Sequence, residues 1–422
     1  MSTTENSTVH DGTSAGTYTP GIKSPGTNAG ANTNTSTDST GITAPAGFRA
    51  AGVTAGLKLS GGRDMALVVN DGPSKAAAAV FTRNRVAAAP VHWSRQVISD
   101  GRADAVILNS GGANACTGPQ GFQNTHATAE KTAEVLGLSA SDVVVCSTGL
   151  IGEQLPMDKI LPGVEAAAQA LASDGGASAA EAIMTTDTVS KQAVFTGSGY
   201  TIGGMAKGAG MLAPGLATML VVLTTDAALP ADALDAALRA ATSVTFDRTD
   251  SDGCMSTNDT VVLMASGASE TVPDTAEFTA GLTEVCHTLA QQLITDAEGA
   301  SHDIAVTTVN AASVADAETA SRSVTRSNLF KTAIFGNDPN WGRVLSAVGT
   351  TDAVFEPDQL NVTINGVQVC RNGGIGDSRD LVDLTGRKVT VEIDLNAGTE
   401  SATIWTNDLT TDYVHENSAY SS

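Results

Sequence analysis

The step Ala217-Thr218, inside "MAKGAGMLAPGLATML" at residues 205–220, joins a glycine-rich run to a hydrophobic one. A threonine at the mouth of a strand is ordinarily a β-former and no more. If the peptide bond before it were cut, Thr218 would carry both a hydroxyl and a free α-amine. An α-amine has an unperturbed pKa of about 7.7–8.0, against ~10.4 for lysine. Near neutral pH it is therefore partly uncharged and can take the proton of its own hydroxyl. Gly208, Gly210 and Pro214 could hold a strained turn that lets Thr218 attack the Ala217 carbonyl, an N-to-O acyl shift followed by ester hydrolysis. A second fragment, "CSTGLIG" at 146–152, sets Thr148-Gly149 just past a strand end. Amides and a hydroxyl there can face the oxyanion of a tetrahedral intermediate. On the residues alone, an ordinary strand threonine and a plain turn remain the competing readings.

Other chemistries are less well served. The glycine-rich pieces "GGANACTG" and "GGMAKGAGM" are followed by no G-K-[ST], and neither has the strand, G-x-G-x-x-G and helix order of a dinucleotide site. A formal charge of −22 argues against nucleic acid and anionic membrane surfaces as partners. No segment reaches the ~18–20 apolar residues of a membrane span, and the start lacks the basic and apolar regions of a secretory signal. The five cysteines (116, 146, 254, 286 and 370) are odd in number and include no C-x-x-C pair. Reduced thiols and a cytoplasmic location are the expectation. "DRTDSDGCMSTND" gathers four aspartates and a thiol, but its spacing fits no EF-hand, and a polar network is the better reading. No metal is expected.

The elements that must position these residues alternate. Residues 1–40 are mostly Ser, Thr, Gly and Asn and should be a disordered tail. "DAVILNSGG" (104–112) and "DVVVCSTG" (142–149) read as buried strands, with a helix over "HATAEKTAEVLGL" (126–138) between them. "MDKILPGVEAAAQALAS" and "AAEAIMTTDT" carry helical patterns, with Pro162 as a local break. "ATMLVVLTTDA" (217–227) is a strand buried on both faces. "PADALDAALRAATSV" and "FTAGLTEVCHTLAQQLITDAEG" predict amphipathic helices, and "TVVLMASG" and "HDIAVTTVNA" predict strands. The end is strand-rich: "DAVFE", "LNVTINGVQVC" with a turn at Asn365-Gly366, "KVTVEIDL" and "ESATIWTND". The class is α/β or α+β, with sheets covered by helices.

"KGAGMLAPGLATML" resembles the signature of the ornithine acetyltransferases, the glutamate N-acetyltransferases of arginine biosynthesis. "TAPAGFRAAGVTAGLK", "NSGGANACTG", "STGLIGEQLPM", "MTTDT", "FDRTDSDGCMSTNDTV", "DAEGAS", "FGNDPNWGR" and "DLTTDYVHENSAYSS" look like further blocks of that family, in family order, from about residue 41 to the end. The resemblance implies self-cleavage at Ala217-Thr218 into an α-chain (41–217 behind the tail) and a β-chain (218–422), commonly assembled as α2β2. It implies a layered αββα sandwich similar to N-terminal-nucleophile hydrolases, with a smaller strand-rich C-terminal lobe. Thr218 would be the nucleophile, and Thr148 with Gly149 the oxyanion hole. Thr185, Lys207, Thr218, Glu298, Asn417 and Ser422 match the substrate pocket.

The implied reaction moves acetyl from N2-acetylornithine to glutamate through an acetyl-Thr218 ester, with no metal or organic cofactor. Acetyl-CoA is admitted as a second donor. Lys207 would hold a carboxylate or the acyl oxygen, and Glu298 an ammonium group. "NDPNWGR", with Asp338, Trp341 and Arg343, reads as support for the pocket. Two departures stand out: the chain ends Ser421-Ser422 where the family usually has Thr-Thr, and the leader is long. A related amidohydrolase passing the same ester to water is the alternative, and an uncleaved binding protein a further one.

Overall fold

The structure, a computed structural model, describes residues 41–213 and 219–419. The expected disordered tail, the Ala217-Thr218 bond and Ser422 lie outside the described residues. The first stretch holds β1 (Phe48–Val53), β2 (Met65–Asn70), β3 (Ala77–Phe81), α1 (Ala89–Val97), β4 (Ala105–Asn109), α2 (Gly118–Leu136), β5 (Val143–Ser147), α3 (Met157–Gln169), α4 (Gly176–Ala182), β6 (Lys191–Thr196) and β7 (Thr201–Lys207). The second begins with β8 (Leu220–Thr225), α5 (Ala231–Ser243), β9 (Thr260–Ala265) and α6 (Thr275–Thr295). It continues through β10 (Asp303–Ala311), α7 (Val314–Thr325), α8 (Asn328–Phe335), α9 (Trp341–Val348), β11 (Asn361–Ile364) and β12 (Val367–Arg371). β13 (Gly374–Ile375), β14 (Lys388–Asp394), β15 (Glu400–Asn407) and α10 (Thr411–Ala419) complete it.

Two sheets stack face to face. One has the strand order β1-β2-β4-β5, the other β3-β9-β8-β7-β6. Every residue of β2, β4, β5, β8 and β9 is buried, as apolar runs without alternation require when both faces are covered. The period of two divides each strand between layers. Val68, Val106, Leu108 and Val144 meet Met205, Val222, Val262 and Met264 between the sheets. On the outside of the first sheet, Leu67, Ile107 and Val145 pack with Ala129 of α2 and Ile160 and Val164 of α3. On the outside of the second, Ile202, Val221 and Leu263 pack with Leu238 of α5 and Leu282 and Leu289 of α6. The result is the expected helix–sheet–sheet–helix order.

A third sheet, β13-β12-β11-β14-β10-β15, forms the C-terminal lobe, with α7 to α9 packed against it through Val306, Ile393, Val324, Phe330 and Val344. Its hairpin turns at Asn365-Gly366 with φ of +45° and +82°, the pair of positive angles that a type I′ turn needs. Among the described residues, no helix is long and apolar enough to cross a membrane.

Three local expectations need correction. Helix α3 runs through Pro162 without a break. Pro162 costs only the bond to the Asp158 carbonyl, one turn from the helix start, while buried Ile160, Gly163 and Val164 pin the helix on both sides of it. The helical reading of "AAEAIMTTDT" holds only to Ala182, because the next residues turn away to feed the cavity described below. "DAVFE" is irregular, with Val354 exposed, and leads into a short 3-10 turn at Pro357–Gln359.

Candidate active site

Where β5 ends, the chain turns at Thr148-Gly149 against the Gly111-Gly112 turn that follows β4. The Thr148 N–H donates to the Asn109 carbonyl at 2.9 Å, and the Thr148 carbonyl accepts from the Gly112 N–H at 2.9 Å. Gly149 sits at φ +130°, and a Cβ on it would lie 2.7 Å from the Gly112 nitrogen, so only glycine fits. With its own N–H committed, Thr148 offers its hydroxyl. Lys207 Nζ donates to that oxygen at 3.3 Å, which leaves the hydroxyl proton to point elsewhere. The Gly149 N–H has no acceptor among the described residues. A hydroxyl and an amide two donors wide thus border one cavity.

That cavity holds about 540 Å³, and Thr148, Gly149, Thr185, Lys207, Glu298 and Asn417 all line it. Lys207, the last residue of β7, is 1% exposed. Burial lowers its pKa, with the charge of Asp187 working the other way. Asp187 is the centre of a buried network that the sequence reading did not single out. Its Oδ1 accepts from Lys191 Nζ at 2.7 Å and from the Gly208 N–H at 2.6 Å, and its Oδ2 from the Thr185 N–H at 2.9 Å. Lys191 also meets Asp296 at 2.5 Å. Burial would push the Asp187 carboxyl up, but Lys207, Lys191 and the Gly208 N–H outweigh it and bring the pKa down to about 2. The network ties the Thr185 loop, the end of β7 and the end of α6 together.

Glu298 forms the opposite wall. Its carboxylate accepts from the Thr186 hydroxyl at 2.7 Å and from Asn417 Nδ2 at 3.0 Å. Asn417 lies on α10, so that helix is tied to the Glu298 wall. Asn258, also missed from sequence, staples the site together. Its Nδ2 donates to the Ala113 carbonyl at 2.5 Å and the Ser147 carbonyl at 2.8 Å. The start of β9 is thereby fixed to the oxyanion-type turn. Leucine-rich segments give the cavity an apolar rim at Leu57, Leu59, Leu150 and Ile151.

The "DRTDSDGCMSTND" aspartates do not form one cluster. Asp247 approaches Arg83 at 4.0 Å, and Asp250 pairs with Arg322 and Arg326 at 3.3 and 2.7 Å. Asp252 accepts from the Met211 and Cys254 N–H groups at 2.7 and 3.1 Å and lines the cavity. Asp259 accepts from the Met219 N–H. "NDPNWGR" does not support the pocket: Trp341 packs on the C-terminal lobe core, Asp338 faces Arg379 at 3.8 Å, and the Arg343 guanidinium donates to the Leu329 carbonyl. Its job is to join α8 to α9. Of the nominated residues, Ala217, Thr218 and Ser422 lie outside the described residues.

Sandwich and cavity together define a layered α/β protein with an enzyme-like cleft at the strand ends. Residues 49–422 match the ArgJ family, and the chain belongs to that family. It is 67% identical to the arginine biosynthesis bifunctional protein ArgJ of Streptomyces coelicolor over 90% of this chain and 100% of that protein. Its identity to the corresponding protein of Mycobacterium leprae is 56%, over 90% of this chain and 96% of that one. Among solved structures it is similar to the ornithine acetyltransferase of Mycobacterium tuberculosis complexed with ornithine, at 55% identity and TM-score 0.43, over 45% of this chain and 100% of that one. It is similar also to the ArgJ protein of Bacillus halodurans, at 33% identity and TM-score 0.45, over 47% of this chain and 97% of that one.

Proposed function

We propose that this protein transfers the acetyl group of N2-acetylornithine to glutamate through an acetyl ester on Thr218, after cutting its own chain before that residue. Six residues nominated for such a site, spread from Thr148 to Asn417, line one cavity, and this observation carries the reading. Membership of a family whose relatives bear the name of arginine biosynthesis bifunctional proteins supports it.

In the first half-reaction the Thr218 hydroxyl attacks the acetyl carbonyl, and its proton passes to the Thr218 α-amine. The Thr148 hydroxyl and Gly149 N–H receive the oxyanion. Lys207 donates to the Thr148 hydroxyl oxygen, which puts it on the acyl-oxygen side and turns that hydroxyl outward as a donor. The amine of ornithine leaves with the proton. Glu298, held by Thr186 and Asn417, offers its carboxylate to an ammonium group of the substrate. In the second half the α-amine of glutamate attacks the ester, and N-acetylglutamate departs. A second donor such as acetyl-CoA would load the same hydroxyl. The two chains would then stay together, commonly as α2β2, in the cytoplasm.

Intact mass of the purified protein and of Thr218→Ala tests the first claim: two fragments in the parent and one uncut chain in the variant are expected. Acetylornithine turnover with and without glutamate tests the second. A single full-length parent that still turns over would overturn the mechanism. Turnover indifferent to glutamate would make it a hydrolase instead.

A further inference from the structure

N2-acetylornithine and glutamate share an α-carboxylate, a charge that a cavity displacing its water must meet with a cation or with donors. Among the described residues lining the cavity, the cations are Lys207 and Lys58. Lys207 is committed to the acyl-oxygen side through the Thr148 hydroxyl. Lys58 is half-buried. Its Nζ donates to the Arg63 carbonyl at 2.6 Å, which leaves two of the three N–H groups of the ammonium. Burial lowers its pKa, and the charges of Asp64, Asp187 and Glu181 work the other way. Each of these acids is engaged elsewhere: Asp187 holds Lys191 at 2.7 Å, and Glu181 meets Arg63 at 3.1 Å. Asp64, 0% exposed, accepts from the N–H groups of Ala55, Leu57 and Lys58 at 2.6, 2.5 and 3.1 Å. These bonds fix the loop that carries Lys58. The Asp64 carbonyl accepts from the Ser110 N–H at 3.0 Å, and a Cβ on Gly111 would lie 2.2 Å from the Leu57 Cβ. The loop is thus seated on the Gly111-Gly112 turn that pairs with Thr148. The substrate puts its carboxylate at that same end. In N2-acetylornithine the carboxylate carbon is three covalent bonds from the acetyl carbonyl carbon, about 4 Å at most. When the glutamate amine attacks, its α-carboxylate stands in the same relation to the carbon attacked.

We propose that Lys58 holds the α-carboxylate common to the acetyl donor and the acceptor, and so selects α-amino acids over amines that lack a carboxylate. The inference rests on the acetyl-transfer reading above and adds to it the residue that recognises the substrate backbone. Lys58 exchanges no proton and forms no covalent bond. Its ammonium gives the carboxylate a charge-assisted hydrogen bond, while the Arg63 carbonyl keeps the side chain aimed. Loop and oxyanion-type turn are packed together through Leu57 and Gly111, so a carboxylate held by the one places the acyl carbon near the other.

The test is Lys58→Met, which removes the charge and keeps most of the length. Turnover is measured with N2-acetylornithine and with its α-carboxamide, which is similar in size and uncharged at that position. The parent is expected to prefer the acid by about tenfold or more in kcat/KM, the worth of a hydrogen bond to a charged group. The variant should lose that preference while its turnover of the carboxamide stays within about threefold of the parent's. Lys58→Arg, which restores the charge, should keep the preference. A merely structural role would lower turnover of acid and carboxamide alike and leave their ratio unmoved. A ratio within about threefold of the parent's overturns the proposal, as does a parent with no preference for the acid. As acceptors, glutamate and isoglutamine, whose α-carboxyl is an amide, should become equivalent in the same variant. A loss confined to the donor overturns the shared role. Should Lys58→Met not fold, Lys58→Gln carries the same measurements. If the parent transfers no acetyl from N2-acetylornithine, the proposed function fails; if it does and Lys58→Met keeps the acid preference, only this inference does.

Discussion

Replacing Asp187 by Asn changes almost no volume and removes the charge at the centre of the buried network. The parent carboxyl is drawn from 3.8 to about 2 by its partners, against the pull of burial. At ~1.36 kcal/mol per pH unit, that is about 2.4 kcal/mol of stability from this group at neutral pH. Asp187 is 7% exposed, so solvent screening takes little of it. Breaking one partner out of a buried ion pair typically costs about 3–5 kcal/mol, and Asp296 remains to hold Lys191, which favours the lower figure. The folded-state pKa is depressed, so the stabilisation is present above the unfolded value near 3.8 and is lost as pH falls through about 2. Urea unfolding of parent and variant at a series of pH values is the assay. A gap of about 2–4 kcal/mol is expected at pH 7, shrinking below about pH 4. A gap under about 1 kcal/mol at pH 7, or one that persists unchanged in acid, would refute the role given to the network.

Gly149→Ala should lower kcat by about 100- to 1,000-fold, the typical loss of one oxyanion donor, because a Cβ 2.7 Å from the Gly112 nitrogen forces the turn open; kcat within threefold of the parent would count against it. Gly299→Ala places a Cβ 2.2 Å from the Tyr413 nitrogen at φ +61°, so it should lift α10 and with it Asn417. The expected result is a higher KM for the amino-acid substrates with little change in melting temperature, read by steady-state kinetics and calorimetry. Native alkylation should label Cys116 and Cys254, which are exposed, and spare Cys146, Cys286 and Cys370, which are buried. Burial pushes the Cys146 thiol up to about 12, so a mass spectrum showing it labelled before unfolding would contradict the described core.

Much of the scaffold was legible because burial on both faces leaves a plain mark. Uninterrupted runs such as "AVILN" and "VVVC" read as strands covered on both faces, and they became β4 and β5. Short or mixed segments left less. β6, with its alternating burial, was assigned to no element, and the paired β7 was read only as part of a glycine-rich run, because Gly203 and Gly204 mask the strand pattern. The site divides the same way. Thr148-Gly149 was visible as a turn after a strand, and the family motifs nominated Lys207, Glu298 and Asn417. Asp187, Asn258 and Asp259 were not nominated, since each has a partner 21 to 145 residues distant and no local spacing encodes such contacts. One signal was available: "STND" places four polar residues at the mouth of a strand that is buried throughout, where an unexplained carboxylate is expensive.

The layout also explains why a break between residues 213 and 219 need not part the protein. β7 and β8 are antiparallel neighbours, paired from Ile202 with Thr225 to Lys207 with Leu220. Strand β3, from upstream, pairs with β9, from downstream. Both faces of this sheet mix the two halves: Val222, Val262 and Met264 meet Val68, Val106 and Met205 inside, while Val221, Leu223 and Leu263 meet Ile202 and Phe195 outside. Six such downstream side chains, at ~1.5–3 kcal/mol each, contribute about 9–18 kcal/mol. Holding two separate chains together costs an estimated 4–15 kcal/mol. Backbone ladder bonds on both sides of the sheet, and the Asn258 and Asp187 ties, come in addition. The proposed cleavage would be a local change, since the walls of the cavity are drawn from both halves and each half is held by the other across the sheet.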